Sequence, residues 1–349
     1  MPHMQIRLGD RPVGDGAPCL VVAAIGSNHD GDLGRAEALI DAAAAARADA
    51  VCFESFTAAT LLARRWPAPD GGWVPAPGYA MLERLALRPE WHARLRERAQ
   101  AQGLLFLATP FDETRASLLA ALGVPALPVA AGDLTHAPLL ERLGTFGRPV
   151  VLATSMAPAA EVAAALAALD RGAGAPARRP PIVLLAGAVV TAGVVHASLR
   201  HMTALRERYG CLTGWSDRVM GTTLALGAAA IGACIVEKGL TDDRSRPGPD
   251  HASALQPGEF ATLVGGVREL EGALAVPVSA GCAGAGVDEL RRSVHAARSL
   301  AAGTPLTAAD VKIVRPGGGL PPSALPALIG RRLVRPLAED EPIGPEDCA

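Results

Sequence analysis

Short apolar runs alternate with longer stretches of helical periodicity along most of the chain, the pattern of βα units that feed a parallel sheet. The runs at 19–27, 49–56, 104–109, 125–131, 149–154, 181–188, 211–216 and 233–238 are predicted strands. The stretches 34–48, 89–102, 113–122, 137–146, 158–171, 198–209, 221–231 and 257–274 are the helices that follow them. Asp112 ahead of Glu113 and Pro158 ahead of the fifth helix are start signals, and Gly103, Gly123 and Gly147 are stops. Eight units in about 255 residues match an α/β chain folded as a (β/α)8 TIM barrel, although a doubly wound sheet also reaches this length.

The long irregular insertion 57–88, containing WPAPDGGWVPAPG, follows the second strand. It lies on the face where barrel active sites are built and reads as a lid. The barrel is expected to span 1–275, followed by a Gly-rich linker at 276–289. A small β-rich domain at 290–349, with short strands, a Thr-started turn at 307 and paired Gly/Pro punctuation, completes the chain. Its size predicts that it docks on a barrel.

Composition narrows the chemistry. Of 349 residues half are hydrophobic, ample for a core, and 33 Lys+Arg against 35 Asp+Glu give a net charge of -2. No global field favours nucleic acid or an anionic membrane. Lysine occurs only at Lys238 and Lys312, which limits Schiff-base and phosphate-anchoring candidates. Cysteines at 19, 52, 211, 234, 282 and 348 form no C-x-x-C pair, which fits a reducing compartment. The N-terminus lacks an apolar signal core, and the Ala-rich runs are interrupted by charges before spanning length. A soluble, cytoplasmic protein is expected.

The segments AIGSNHDGDLGRAEALIDAA (24–43), ATPFDE (108–113), AAGDLTHAPLLE (130–141), ATSM (153–156), GWSDRVMG (214–221), EKGLTDDRSRPGPDH (237–251) and VRPGGG (314–319) occur in this order. Together they resemble the sialic acid synthase family, whose members condense phosphoenolpyruvate with an N-acetylated aminosugar and carry an antifreeze-protein-like (SAF) C-terminal domain. The resemblance covers nearly the whole chain and implies the barrel and a domain-swapped homodimer. It does not by itself fix the reaction, because function lives in the site.

Several family positions differ. Ala24 stands where the first motif has Glu, Cys52 and Glu54 where the second strand has Lys and Gln, and Pro128, Ala131 and Asp133 where the fourth has Lys, Ser and an acid. The two metal-binding histidines correspond to Arg218 and Gly239. Charge-assisted hydrogen bonds contribute about 1.5–3 kcal/mol each, so losing two lysines costs roughly 3–6 kcal/mol, on the order of 10^2- to 10^4-fold in phosphoenolpyruvate affinity. No metal and no other cofactor is therefore expected.

The remaining polar set comprises Glu54, Asp133, Arg218 and Glu237 as candidate acid/base and electrophilic groups, and Asn28, Thr109, Ser216, Asp217, Asp250, His251 and Arg315 as substrate contacts. The resemblance places Asp250 in a sugar-binding loop and has Arg315 touch the sugar in the other barrel of the dimer. Arg218 either polarises a carbonyl in place of the metal or neutralises Asp217, Glu237 or Asp133. Glu54 and Glu237 either form an acid/base pair or pair with Arg218 or Arg244. Lys238 points outward by strand alternation, Cys52 reads as a buried filler and His29 as a packing residue. Three functions follow. The first is a repurposed enzyme performing carbonyl chemistry on a sugar or sugar acid. The second is a non-catalytic sugar binder or scaffold for a pathway enzyme, and the third a phosphoenolpyruvate-dependent synthase with an altered pocket.

Overall fold

The computed structural model describes residues 3–68, 70–155, 157–191, 194–275 and 286–349. The chain divides into two compact units, Met1–Ala275 and Val276–Ala349. Most of the linker expected at 276–289 lies outside the described residues, and its end, Val287–Leu290, is a short helix.

The first unit is built on eight parallel strands: β1 (Leu20–Gly26), β2 (Ala50–Ser55), β3 (Leu105–Pro110), β4 (Leu127–Val129), β5 (Val150–Ala153), β6 (Ile182–Thr191), β7 (Leu212–Asp217) and β8 (Ile235–Gly239). They follow one another around the sheet, with β8 paired to β1. β3 and β4 lie side by side and bring the ring nearly to closure. The matching helices are α1 (Leu33–Ala45), α2 (Trp91–Ala101), α3 (Glu113–Leu122), α4 (Ala137–Gly144), α5 (Ala159–Ala173), α6 (Leu199–Tyr209), α7 (Thr223–Ala230) and α8 (Pro257–Ala275). Asp112 caps α3 by accepting the Arg115 N–H, and Gly123 ends that helix with a left-handed φ of 82°. This is the TIM barrel that the apolar runs predict.

A ring of strands has an inside and an outside, and side chains alternate between them. Leu20, Val22, Cys52, Leu107, Val151, Leu185, Leu212 and Ile235 fill the interior, while Val21, Phe53, Phe106, Leu152, Leu184, Trp215 and Val236 pack under the helices. An N-terminal hairpin, Gln5–Leu8 with Arg11–Gly14, adds Leu8 and Val13 to the inner layer. Three features depart from the predicted pattern. That hairpin was not expected. The insertion 57–88 carries a hairpin of Arg65–Pro67 with Trp73–Pro75 and helices Ala58–Leu61 and Tyr79–Leu85. Finally, β6 runs beyond 188 and pairs with a returning strand, Val194–Ala197.

In the second unit, Ser293–Ala296 pairs antiparallel with Val311–Val314 over a small core of Val294, Leu300, Leu306, Leu333, Leu337 and Ile343. The turn at Thr307 is closed by its N–H donating to Asp310 Oδ2 at 2.9 Å. Among the described residues no helix is long and apolar enough to cross a membrane.

α4 and α5 touch backbone to backbone. A Cβ on Gly172 would lie 1.9 Å from the Glu141 carbonyl oxygen, whereas one on Gly265 of α8 would meet nothing within 4 Å. Gly172→Ala is expected to destabilise the barrel by about 1–3 kcal/mol in urea unfolding despite alanine's helix propensity. Gly265→Ala is expected to stabilise it by about 0.5–1 kcal/mol.

Candidate functional site

Strand alternation brings Glu54, Thr109, Ser216 and Glu237 to the inner face at the C-terminal rim; Glu54, Thr109 and Glu237 each stand two residues beyond an interior side chain, and Ser216 stands four beyond Leu212. Asp133 ends the turn Ala131–Asp133 after β4, Arg218 follows β7, and Asp250 lies in the loop after β8.

Arg218 is the centre of the cluster. Its Nη2 lies 3.4 Å from Glu237 Oε1 and its Nη1 3.9 Å from Asp250 Oδ1. The Ser216 hydroxyl donates to the same Glu237 oxygen at 3.0 Å. Burial works against the guanidinium charge, but Glu237, Asp250 and Glu54 outweigh it and hold the pKa above its ordinary value. A Cβ on Gly26 would lie 3.4 Å from Asp250 Oδ2 and 3.7 Å from Glu54 Cδ, so both carboxyl groups sit over that glycine.

Glu54 is the proton-bearing member. Burial, then the charges of Asp250, Glu237 and Asp133, push its pKa up to about 7, against the opposing pull of Arg218. Burial also raises Asp133, whose Oδ2 is enclosed without a hydrogen-bond partner. Cys52, with Sγ 3.7 Å from Thr109 Oγ1, is raised above the thiol range by burial and by Glu237. It is a neutral filler rather than a nucleophile.

Two expected substrate contacts are spent inside the protein. Asp217 turns outward with Trp215, and its Oδ1 accepts from Lys238 Nζ at 2.7 Å in a fully buried pair. His251 is buried, with Nδ1 2.7 Å from Thr241 Oγ1 and Nε2 3.0 Å from Asp30 Oδ1, leaving neither nitrogen for a ligand. Asn28 is buried and its amide donates to the Leu240 carbonyl at 2.9 Å, tying β1 to β8, with Oδ1 left unpartnered. His29 packs near Phe53, accepts the Gly31 N–H at 3.1 Å, and is lowered to about 4 by burial. Arg244 pairs with Glu259 rather than with Glu54 or Glu237. Arg315 is an exposed residue of the second unit, directly after Val311–Val314.

Sequence reasoning missed the Thr241–His251–Asp30 chain and a cavity of about 670 Å3 lined by Ser155, Gly187, Val189, His196, Ser198 and His201. Gly187 stands in register beside Ser216, so this space adjoins the carboxylate cluster. The extra strand Val194–Ala197 forms one wall, and only its recognition would have revealed the cavity.

The fold is that of the (β/α)8 barrel proteins that carry a small C-terminal β domain. A model of the NeuB family matches residues 39–278 and a model of the SAF domain residues 291–348; the chain belongs to the NeuB family. It is 32% identical to an N,N'-diacetyllegionaminic acid synthase of Legionella pneumophila, with 93% of each chain covered. An N-acetylneuraminic acid synthetase from Leptospira borgpetersenii, crystallised with citrate, superposes with a TM-score of 0.69 at 29% identity, covering 78% of this chain and 91% of that one. A spore coat polysaccharide biosynthesis protein from Bacillus subtilis superposes with a TM-score of 0.65 at 27% identity over 99% of both chains.

The divalent metal implied by the resemblance does not fit these residues. Arg218 already places a cation against Glu237 and Asp250. At Gly239, a Cβ would lie 3.1 Å from Ala254 Cβ, which leaves no room for an imidazole without moving the neighbouring chain.

The displaced pKa values of Glu54 and His29 oppose each other and predict a stability plateau from 4.5 to 6.5 that falls away on either side. Between 4.5 and about 7 the native Glu54 keeps a proton that the unfolded chain has lost, so stability falls as pH rises through that window. Between 6.5 and about 4 the unfolded chain binds a proton that native His29 refuses, so stability falls as pH drops. Glu54→Gln is expected to stabilise the protein by about 3 kcal/mol at pH 8 and little at pH 4, measured by urea unfolding across pH. Equal effects at both pH values would refute the assigned protonation.

Proposed function

We propose that this NeuB-family barrel acts in sugar-acid biosynthesis on a polyhydroxylated carbonyl substrate, a sugar or sugar acid, without phosphoenolpyruvate. The observation that carries this reading is a single guanidinium faced by Glu237 and Asp250, beside a Glu54 carboxyl that exchanges its proton near neutral pH. Carboxylates at such a rim accept hydrogen bonds from sugar hydroxyls. Arg218 offers N–H donors to a carbonyl oxygen as negative charge develops on it. In its ionised form Glu54 takes a proton from the carbon beside that carbonyl and returns it to the neighbouring carbon of the enediolate in an isomerisation; in an aldol-type cleavage the proton it takes is that of the β-hydroxyl, and it goes to the enolate carbon left when the C–C bond breaks.

The same charges disfavour phosphoenolpyruvate. Its nearly three negative charges would approach Glu54, Asp133, Glu237 and Asp250, while Cys52 and Pro128 supply no compensating cation. The names of the relatives, synthases of legionaminic and neuraminic acids, support the sugar side of the assignment. A second reading, sugar binding without turnover, is favoured by Ala24, where the resemblance calls for a carboxylate. The domain-swapped homodimer, with Arg315 completing the site of another copy, belongs to the same proposal, as does a place in the cytoplasm.

Ligand-induced thermal shift tests the reading, because a ligand at 100 times its Kd stabilises by about 2.7 kcal/mol. Hexosamines, nonulosonic acids or sugar acids are expected to raise the melting temperature, and Arg218→Ala to abolish the rise. Millimolar phosphoenolpyruvate with Mn2+ is expected to leave it unchanged. Stabilisation by that pair would restore the synthase reaction, and turnover of a stabilising sugar separates the enzyme from the binder.

A further inference from the structure

Two consecutive residues of β8 bear on Arg218, one at its guanidinium and one through its chain neighbours. Glu237 points inward and meets the guanidinium, while Lys238 points outward and is completely buried beneath the helices. Lys238 Nζ donates to Asp217 Oδ1 at 2.7 Å and also to the Val219 carbonyl. Asp217 Oδ1 in turn accepts the Val219 N–H at 3.1 Å, and its Oδ2 accepts the Trp215 indole N–H at 3.2 Å. The Arg218 N–H is taken by the Ala188 carbonyl at 2.8 Å. The peptide groups flanking Arg218 are thus tied on both sides.

We propose that the buried Lys238–Asp217 pair is a positioning device for Arg218, fixing the backbone from which the guanidinium reaches Glu237 and Asp250. Packing alone is a poor account of the pair. Removing two charges from water is costly, and well-packed apolar replacements often serve stability equally well or better. Both partners, moreover, spend hydrogen bonds on Val219, the residue directly after Arg218. The choice of lysine fits this role in a chain with only one other, at Lys312. A compact ammonium on a slender stem reaches both Asp217 and the Val219 carbonyl, whereas a planar guanidinium presents a wider fork. The proposal extends beyond the sugar reading and needs no substrate to be true.

Its test follows Glu54, because the hydrogen bonds of Lys238 and Asp217 run to each other, to Val219 and to Trp215 rather than to Glu54. The charged groups that set the Glu54 titration are Asp250, Arg218, Glu237 and Asp133, and of these only Arg218 lowers it. Lys238→Met and the paired variant Asp217→Asn with Lys238→Met are compared with the unaltered protein. The Glu54 midpoint is read from its carboxyl infrared band, assigned with Glu54→Gln, and Arg218→Gln marks the limit of a lost guanidinium. In the paired variant, which leaves no unpaired buried charge, the Glu54 midpoint is expected to rise by about one pH unit toward that limit. Near-ultraviolet circular dichroism verifies the native fold. A folded paired variant that titrates Glu54 as the unaltered protein does would overturn the proposal and leave the pair as packing. Amide exchange decides even if both variants unfold: the Val219 N–H of the unaltered protein is expected to exchange at least tenfold more slowly than exposed loop amides. Exchange at the loop rate would equally reject the positioning role.

Discussion

The period-two alternation of a closed parallel strand ring is the constraint on which this site depends. It sends Ser216 and Glu237 into the barrel mouth and their neighbours Asp217 and Lys238 under the helices. Four adjacent polar residues on two paired strands thereby acquire two separate jobs. The inner pair is joined by the Ser216 hydroxyl donating to Glu237, and Glu237 in turn meets Arg218. The outer pair is dry and makes only internal contacts. A one-residue slip between β7 and β8 would exchange these roles, but the register Ser216 opposite Glu237 and Asp217 opposite Lys238 forbids it. The apolar residues earlier on each strand enforce that register by filling the interior and the helix-facing layer.

With the faces sorted, the chemistry becomes a problem of charge density. One guanidinium faces several carboxyl groups in a mouth partly screened from water. Burial first, and then the charges of Asp250 and Glu237, make ionisation of Glu54 unfavourable, so it retains a proton at a pH where an exposed glutamate would have lost it. Cys52, deeper in the barrel, remains a thiol for related reasons: burial and the nearby Glu237. Such a rim is ill suited to concentrating further negative charge. Family membership supplies the barrel and its general biochemical setting, while the residues at the rim govern which ligand can enter.

The eight-unit fold was legible because parallel strands buried on both faces read as nearly continuous apolar runs. The outward course of Lys238 followed from its place after Glu237 on one strand. The hairpin Gln5–Leu8 with Arg11–Gly14 was hidden because its short strands bury only part of one face. Val194–Ala197 is exposed throughout and produces no core signal. For Asp217 and His251 the difficulty was partnership rather than location. Asp217 finds Lys238 across a strand pair, and His251 finds Asp30 across most of the barrel sequence. Residue type announced a polar group in each case, but not whether that group would be consumed internally.

Small residues show how closely geometry limits the possible chemistry. Gly26 has a φ of 53° and lies beneath the Glu54 and Asp250 carboxyl groups, so a side chain there would meet both backbone strain and the floor of the cluster. Gly239 faces Ala254 so closely that a larger side chain would have to displace the loop leading back from Asp250. That loop is held by Thr241 against His251, by His251 against Asp30, and by the Arg244–Glu259 and Arg246–Asp30 ion pairs, while Asp250 itself faces Arg218. Asp250 therefore joins the two parts of the rim: its loop is anchored away from the cluster, while its charge faces Arg218 and raises the Glu54 pKa.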